Sequence, residues 1–380
     1  MRDAGRMAVF LIVFLSLWTV LHLYVGWRLW SLPWVAAHVP RWALVAGLAV
    51  LALSYILARI LDRQGFHRIA HPLEYLGADW MGIAFLLGAA LLAAEVVTGF
   101  GLLLPRIAPA VRSGAVVIAG ALALIAIVQG VRDPVVVDYE VSMAGLPRER
   151  DGLVVVELSD LHLGTLIGER WMARQVARVN ALKPDLVVVV GDLVDGNVGA
   201  VEPLLPLLRE LRAPLGIWAV TGNHEFYAGI ERCVRLFDDA GFHVLRDASA
   251  EIAPGLVLAG VDDLTGRRQL NLNGEPVKRA LAGRPPGATV FLCHSPWKAD
   301  LAASAGVDLM LCGHTHDGQI WPFGYFVKPI YPLMGGRYAF NGMPVIVGRG
   351  AGTWGPRMRL WRPSEIVRIT LHSADPAHPS

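Results

Sequence analysis

Leu186-Val187-Val188-Val189-Val190-Gly191-Asp192-Leu193-Val194-Asp195 sets an apolar, mostly β-branched run directly against a glycine and two carboxylates. Side chains branched at Cβ pack well on a pleated surface, so Leu186–Val190 reads as a buried strand. Gly191 lets backbone approach closely, and Asp192 emerges where the strand ends, the edge at which an α/β sheet presents its ligands. The same pattern recurs outward from this point. Leu153–Leu158 precedes Asp160-Leu161-His162, and Leu215–Val220 precedes Gly222-Asn223-His224-Glu225. Thr289–Cys293 precedes His294, and Leu309–Cys312 precedes Gly313-His314-Thr315-His316, with Gly318-Gln319 just beyond.

These side chains suit metal ions. Asp supplies a hard oxygen and His a nitrogen, a mixture that fits Mn, Fe, Zn or Co better than Ca. Asp192 has two oxygens and can bridge two cations, which an imidazole cannot. Asn223 offers a neutral amide oxygen, and His224 beside it is free for proton transfer. His314 and His316, on alternate residues at the end of an apolar run, are costly to bury unless a metal or hydrogen bonds satisfy them.

Further apolar runs at Val135–Val141, Leu256–Val261, Val345–Val347 and Ile366–Leu371 read as strands. Stretches with helical spacing lie at Glu169–Leu182, Glu202–Leu211, Ile230–Ala240, Glu275–Ala282 and Pro296–Ser304. Alternation of the two predicts an α/β layered domain, mainly parallel early, with more consecutive strands late.

The chain N-terminal to this is of another kind. With 380 residues, 54% hydrophobic and 17% charged, the sequence is too apolar for an ordinary soluble protein. The excess is concentrated in residues 7–25, 41–60, 81–104 and 114–131, each of bilayer-crossing length as a helix. Trp27, Trp30, Trp34, Trp42 and Trp80 fall near the span ends, where an amphipathic ring suits the headgroup layer. Residues 1–132 are therefore expected to form a membrane domain, 133–372 a catalytic domain and 373–380 a tail. Glu95, the one carboxylate well inside a span, is expected to be a neutral, hydrogen-bonded packing residue. Arg2, Arg6, Arg59, Arg63, Arg68 and Arg132 share one side, against Arg28, Arg41, Arg106 and Arg112, which predicts a cytoplasmic catalytic domain. The net charge of +2 and the lack of a basic run with interleaved aromatics argue against nucleic-acid binding. Cys233, Cys293 and Cys312 lack CxxC spacing and are expected to be buried thiols.

In order, Asp-x-His, Gly-Asp-x-x-Asp, Gly-Asn-His-Glu, a late His and Gly-His-x-His resemble the calcineurin-like metallophosphoesterase superfamily, over about residues 150–372. Gly-His-Thr-His-x-Gly-Gln and the segment Gly348–Pro363 are closest to its bacterial membrane-associated branch. The resemblance implies a four-layer αββα sandwich holding two divalent metals. Asp160, His162 and His316 would hold the first, Asp192 would bridge, and Asn223, His294 and His314 would complete the second. It further implies metal-activated hydroxide attack on phosphorus, with His224 protonating the leaving oxygen and Asp195 orienting it. Asp317 replaces the Gly usual after the second turn histidine and adds negative charge, while Glu225 stands where the branch often has Asp.

Arg267, Arg268 and Arg349 are candidate clamps for a substrate phosphate, because a guanidinium fork matches phosphate oxygens. The expectation is a membrane-anchored manganese-type phosphodiesterase or pyrophosphatase, with a lipid bilayer and a lipid-linked ester, such as a nucleotide-linked acylated sugar, as partners. The alternative is a transporter or membrane scaffold whose metal-binding domain is regulatory.

Overall fold

Strand-forming runs assemble into two six-stranded sheets in the computed structural model, which describes residues 2–374. Of the tail expected at 373–380, Ser373 instead ends the last strand and residues 375–380 lie outside the described residues, and only the backbone of residues 2–11 is described. By contacts, residues 1–131 with Gly355–Trp361 form one unit, and 132–354 with 362–380 form another.

The first unit is helical: α1 (Arg2–Trp30), α2 (Pro33–His38), α3 (Arg41–Arg63), α4 (His67–Thr98) and α5 (Ala108–Gly130). Four of these are long and apolar enough to cross a membrane, over Ile12–Trp30, Arg41–Arg63, His67–Thr98 and Ala108–Gly130. A 23-residue helix is about 34 Å long, slightly more than a hydrocarbon core. The third was expected over 81–104 but begins at His67. Its polar first turns are tolerated because Glu74 pairs with Arg59 at 3.0 Å and Asp79 with Arg357 at 2.7 Å. It stops at Gly99, whose left-handed backbone (φ 57°) closes the helix, so residues 99–104 fall outside it. The fourth begins six residues before the expected 114 and takes Arg112 into its buried face.

Glu95, expected as a neutral, hydrogen-bonded packing residue, is fully buried between two arginines. Arg112 Nε donates to it at 2.6 Å, and Arg28 Nη2 lies 2.9 Å from its other oxygen. Arg28 and Arg112 are thus committed inside the helical unit rather than standing as loop charges. The segment Gly355–Trp361 is held there by hydrogen bonds from Arg359 N–H to the Ala126 carbonyl at 2.8 Å and from Trp361 N–H to Gln129 Oε1 at 2.9 Å.

In the second unit the strands are β1 (Val135–Met143), β2 (Leu153–Leu158), β3 (Leu186–Val190), β4 (Ile217–Val220), β5 (His243–Val244), β6 (Ala248–Ala253), β7 (Leu256–Gly260), β8 (Ala288–Leu292), β9 (Leu309–Cys312), β10 (Gly336–Phe340), β11 (Met343–Val347) and β12 (Glu365–Ser373). They order as β1-β12-β2-β3-β4-β5 and β10-β11-β9-β8-β7-β6. β2 through β5 run parallel, as do β7, β8 and β9, so the carboxyl ends within each series lie together.

Between the sheets, Val155, Leu186, Val188 and Val190 meet Leu256, Leu258, Val290 and Leu311 in a fully buried core. Burying each such side chain contributes about 1.5–3 kcal/mol. Outer layers come from helices. Glu169–Ala181 and Ile230–Asp239 cover the first sheet through Met172, Val176 and Phe237, and Pro276–Leu281 and Ala299–Ser304 cover the second through Val277 and Ala302. This is the expected αββα order. The helix expected over Glu202–Leu211 is instead two short turns, Glu202–Leu204 and Leu205–Leu208, broken where Pro203 and Pro206 interrupt backbone donors.

Candidate metal centre

Parallel pairing of β2 with β3 sets Leu158 opposite Val189, and the pairing continues past the strand ends. Asp160 N–H donates to the Gly191 carbonyl at 3.1 Å, and His162 N–H to that of Asp192 at 3.0 Å. Asp160, His162 and Asp192 are thus delivered side by side. β4 adds Asn223 and His224, while the second sheet supplies His294 after β8, then His314 and His316 after β9.

Two of the turns admit only glycine. Gly191 sits at φ 77°, and a Cβ there would lie 2.6 Å from His294 Nδ1 and 2.7 Å from Gly222 N; at Gly222 it would strike the Asp192 carboxylate. Asp160, His162, Asp192, His314 and His316 themselves adopt positive φ between 46° and 71°, a region that costs non-glycine residues energy. Strain gathered on one set of polar residues marks a built site.

The donors converge in three overlapping groups: Asp160 with His162 and His316, His162 with Asp192 and His224, and Asp192 with His294 and His314. Within each group the ligand atoms lie within 4.8 Å of one another. His162 Nε2 and His316 Nε2 are 3.1 Å apart, His316 Nε2 is 3.2 Å from Asp160 Oδ1, and His294 Nε2 is 3.1 Å from Asp192 Oδ2. His294 Nδ1 donates to the Val190 carbonyl at 2.7 Å, which orients the ring and turns Nε2 toward Asp192. That Nε2 and Asn223 Oδ1 are buried without a hydrogen-bond partner. Buried orphans of this kind, among carboxylates and imidazoles, fit a pair of divalent cations.

Burial holds the His162 and His314 imidazoles down at about 3, neutral and with lone pairs to give. For Asp192, burial works against ionisation, but His294 and His224 outweigh it and hold the carboxyl well below its usual range. His224 goes the other way: burial would lower it, yet Asp192 and a hydrogen bond to Asp195 raise it to about 9.

Glu225 does more than the sequence implied. Fully buried, it accepts from the backbone N–H of Asp192 (3.0 Å), Val194 (2.9 Å) and Gly222 (2.6 Å), tying two ligand loops together. The signal was its place at the third position of the helix Asn223–Ala228, where a carboxylate reaches back to free N–H groups. Asp263 acts similarly, accepting from Ser295 Oγ at 2.5 Å beside His294 and from Gly266 N–H at 2.6 Å.

Of the three arginines, Arg267 pairs with Asp247 at 3.0 Å, and Arg349 with Glu365 at 3.2 Å. Arg268 lies 5.4 Å over the Trp297 ring. Arg267, Arg268, Trp297 and Lys298 line a cavity of ≈ 380 Å³. Trp297 stacks on Tyr331 at 5.0 Å, and Tyr331 meets His314 edge-on at 4.5 Å. The charge added by Asp317 is offset, since Arg362 lies 3.2 Å and Arg349 3.5 Å from its carboxylate. All three cysteines are buried thiols.

Residues 153–318 match the family model for calcineurin-like phosphoesterases. A transmembrane protein with metallophosphoesterase domain from Danio rerio is 35% identical over 68% of this chain and 62% of its own length. An uncharacterized metallophosphoesterase from Aquifex aeolicus (strain VF5) is 35% identical over 61% of this chain and 90% of its own. Among solved structures, a dimetal phosphatase from Danio rerio aligns over 59% of this chain and 100% of its own, with 13% identity and a TM-score of 0.35. Relatives thus occur in bacteria and in vertebrates, wider than the bacterial branch the motifs brought to the fore. The chain belongs to the calcineurin-like metallophosphoesterase superfamily.

Proposed function

We propose that the protein is a membrane-anchored, two-metal phosphoesterase that hydrolyses a phosphodiester or pyrophosphate. The observation that carries this reading is the overlap of the donor groups at Asp192, whose carboxylate belongs to two of them. Asp160, His162 and His316 are assigned to one cation, Asn223, His294 and His314 to the other, and Asp192 to both. When bound, Mn, Fe, Zn or Co ions there supply Lewis acidity toward the phosphoryl oxygens and the attacking water.

The chain's own residues do the rest. His224, protonated through its pairing with Asp195, donates from Nε2 to the leaving oxygen, and Asp195 holds the ring by Nδ1. Glu225 keeps the Asp192 and Gly222 loops in register. Arg268, beside Trp297, is available to a second anionic group of the substrate.

Four helices of membrane-crossing length favour a multi-pass anchor, and the arginine bias favours a cytoplasmic catalytic unit. A lipid-linked ester, such as a nucleotide-linked acylated sugar, is the substrate class this setting favours. The transporter alternative loses its coupling group, because Glu95 is engaged by Arg28 and Arg112. The test is hydrolysis of monoesters, diesters and lipid pyrophosphates by detergent-purified protein, with each metal supplied in turn. Cleavage of a diester or pyrophosphate that stops with Asp192→Asn supports the reading; a protein that holds two metals and cleaves none of the panel sinks it.

A further inference from the structure

Trp321, Phe323, Tyr325, Phe326 and Ile330 are each between 41% and 70% exposed, five large apolar side chains within ten residues of the catalytic unit. Soluble domains rarely leave such a cluster in water, and one that does marks a binding surface. Both ends of the segment are tied to the metal centre. At the start, the Gln319 side chain donates to the Trp354 carbonyl and accepts from its N–H, each at 3.0 Å, and the Trp354 ring stands edge-on 5.9 Å from His224. At the finish, Tyr331 stands edge-on to His314, and its hydroxyl is 3.0 Å from Thr265 Oγ1. Tyr227, also exposed, lies 5.3 Å from His224. The exposed apolar segment therefore begins and ends beside residues that pack on the site histidines.

Its chemistry is that of a membrane interface. Trp and Tyr rings, apolar with one polar atom, favour the headgroup boundary, and Lys328 lies within the segment. Lys328 is exposed, and no Asp or Glu falls between Asp317 and Glu365, so the segment's own charge is positive. A positive charge among exposed aromatic rings favours anionic lipid headgroups.

A bilayer is the occupant the chain itself brings. It carries four helices of membrane-crossing length, and only residues 131–134 lie between α5 and β1. Four residues span at most about 14 Å. The chain thus brings a lipid surface with it, and that surface is the occupant argued for the exposed side chains.

We propose that Trp321–Ile330 docks into the headgroup layer of an anionic membrane, so that the metal centre opens toward the bilayer and draws its phosphate ester from it. The docking stands independently of the phosphoesterase reading; only the consequence for substrate rests on it.

The test uses the full-length protein in vesicles of phosphatidylcholine and phosphatidylglycerol. Phe326→Cys carries an environment-sensitive fluorophore, the native thiols being buried, and Glu210→Cys at an exposed site serves as reference. Phosphatidylcholine bearing a nitroxide near the headgroup should quench the label at 326 several-fold more than at 210, and aqueous iodide should do the reverse. Equal quenching at both sites overturns the proposal. Shielding of 326 from both quenchers overturns it too, because a protein then covers the patch. The triple variant Phe323→Ser, Phe326→Ser, Ile330→Ser removes exposed side chains only. It should lose activity several-fold on a vesicle-embedded pyrophosphate ester while keeping it on soluble bis(p-nitrophenyl) phosphate. Equal loss on both overturns the substrate consequence. A quenched label on a protein that cleaves neither ester leaves the docking standing and removes the phosphoesterase reading instead.

Discussion

His224 Nδ1 donates to Asp195 Oδ1 at 3.0 Å, from a helix start on β4 to the loop after β3, so two neighbouring strand ends share one proton-handling pair. In the proposed reaction its other ring nitrogen serves the substrate. The pairing makes the imidazole more basic, and its first consequence concerns pH. With His224 raised to about 9, a general acid there is protonated at neutral pH and is lost as pH climbs through its pKa. Asp195→Asn removes a carboxylate that raises this value, so the alkaline limb of kcat should move to lower pH. A profile that keeps the wild-type limb would show that Asp195 does not act through His224.

Removing His224 should separate chemistry from metal binding. His224→Ala is expected to lower kcat by roughly 10²–10⁴, the usual contribution of a positioned acid. Metal content by mass spectrometry should stay at the wild-type level, since Asp160, His162 and His316 and Asn223, His294 and His314 remain. Loss of the metals in the variant would overturn that division of labour.

Glu225 accepts three backbone N–H groups, so Glu225→Gln turns an amide NH₂ toward donors it cannot satisfy. Stranding one buried donor costs about 1–3 kcal/mol. Thermal denaturation should show a lower Tm, and metal affinity should fall because the Asp192 and Gly222 loops are no longer tied. An unchanged Tm would mean that the clamp is dispensable.

In the helical unit, Glu95→Ala leaves Arg28 and Arg112 buried without their carboxylate. Breaking a buried ion pair from one side destabilises by about 3–5 kcal/mol. The full-length protein in detergent should therefore melt earlier or fail to accumulate, while Arg41→Ala, at the exposed start of α3, should behave as wild type. Equal behaviour of the two variants would show that Glu95 is not a packing anchor.

Much of the site could be read along the chain because each ligand follows a short apolar strand at once. Leu186–Val190 before Gly191-Asp192 and Leu309–Cys312 before Gly313-His314 required no long-range information. Span positions were less legible. Glu74, Asp79 and Arg112 look like loop residues until partners distant in sequence, Arg59, Arg357 and Glu95, accommodate them inside helices. The edge strands β6 and β10 were missed because nearly all their residues are partly or fully exposed and form no apolar run, and the clamp at Glu225 was missed because its three donors lie on two separate loops.

Residue types and their order along the chain were enough to establish an α/β metal-binding domain behind apolar helices, since strand ends, glycine turns and ligand chemistry are local properties. Which donors cluster together, that Glu225 ties their loops, that Arg267 and Arg349 are engaged by carboxylates, and that exposed Tyr227 and Trp354 stand beside His224 were decided by tertiary structure. These depend on the two sheets bringing together side chains as far apart as His162 and His316, and sequence spacing says nothing about distances across a fold.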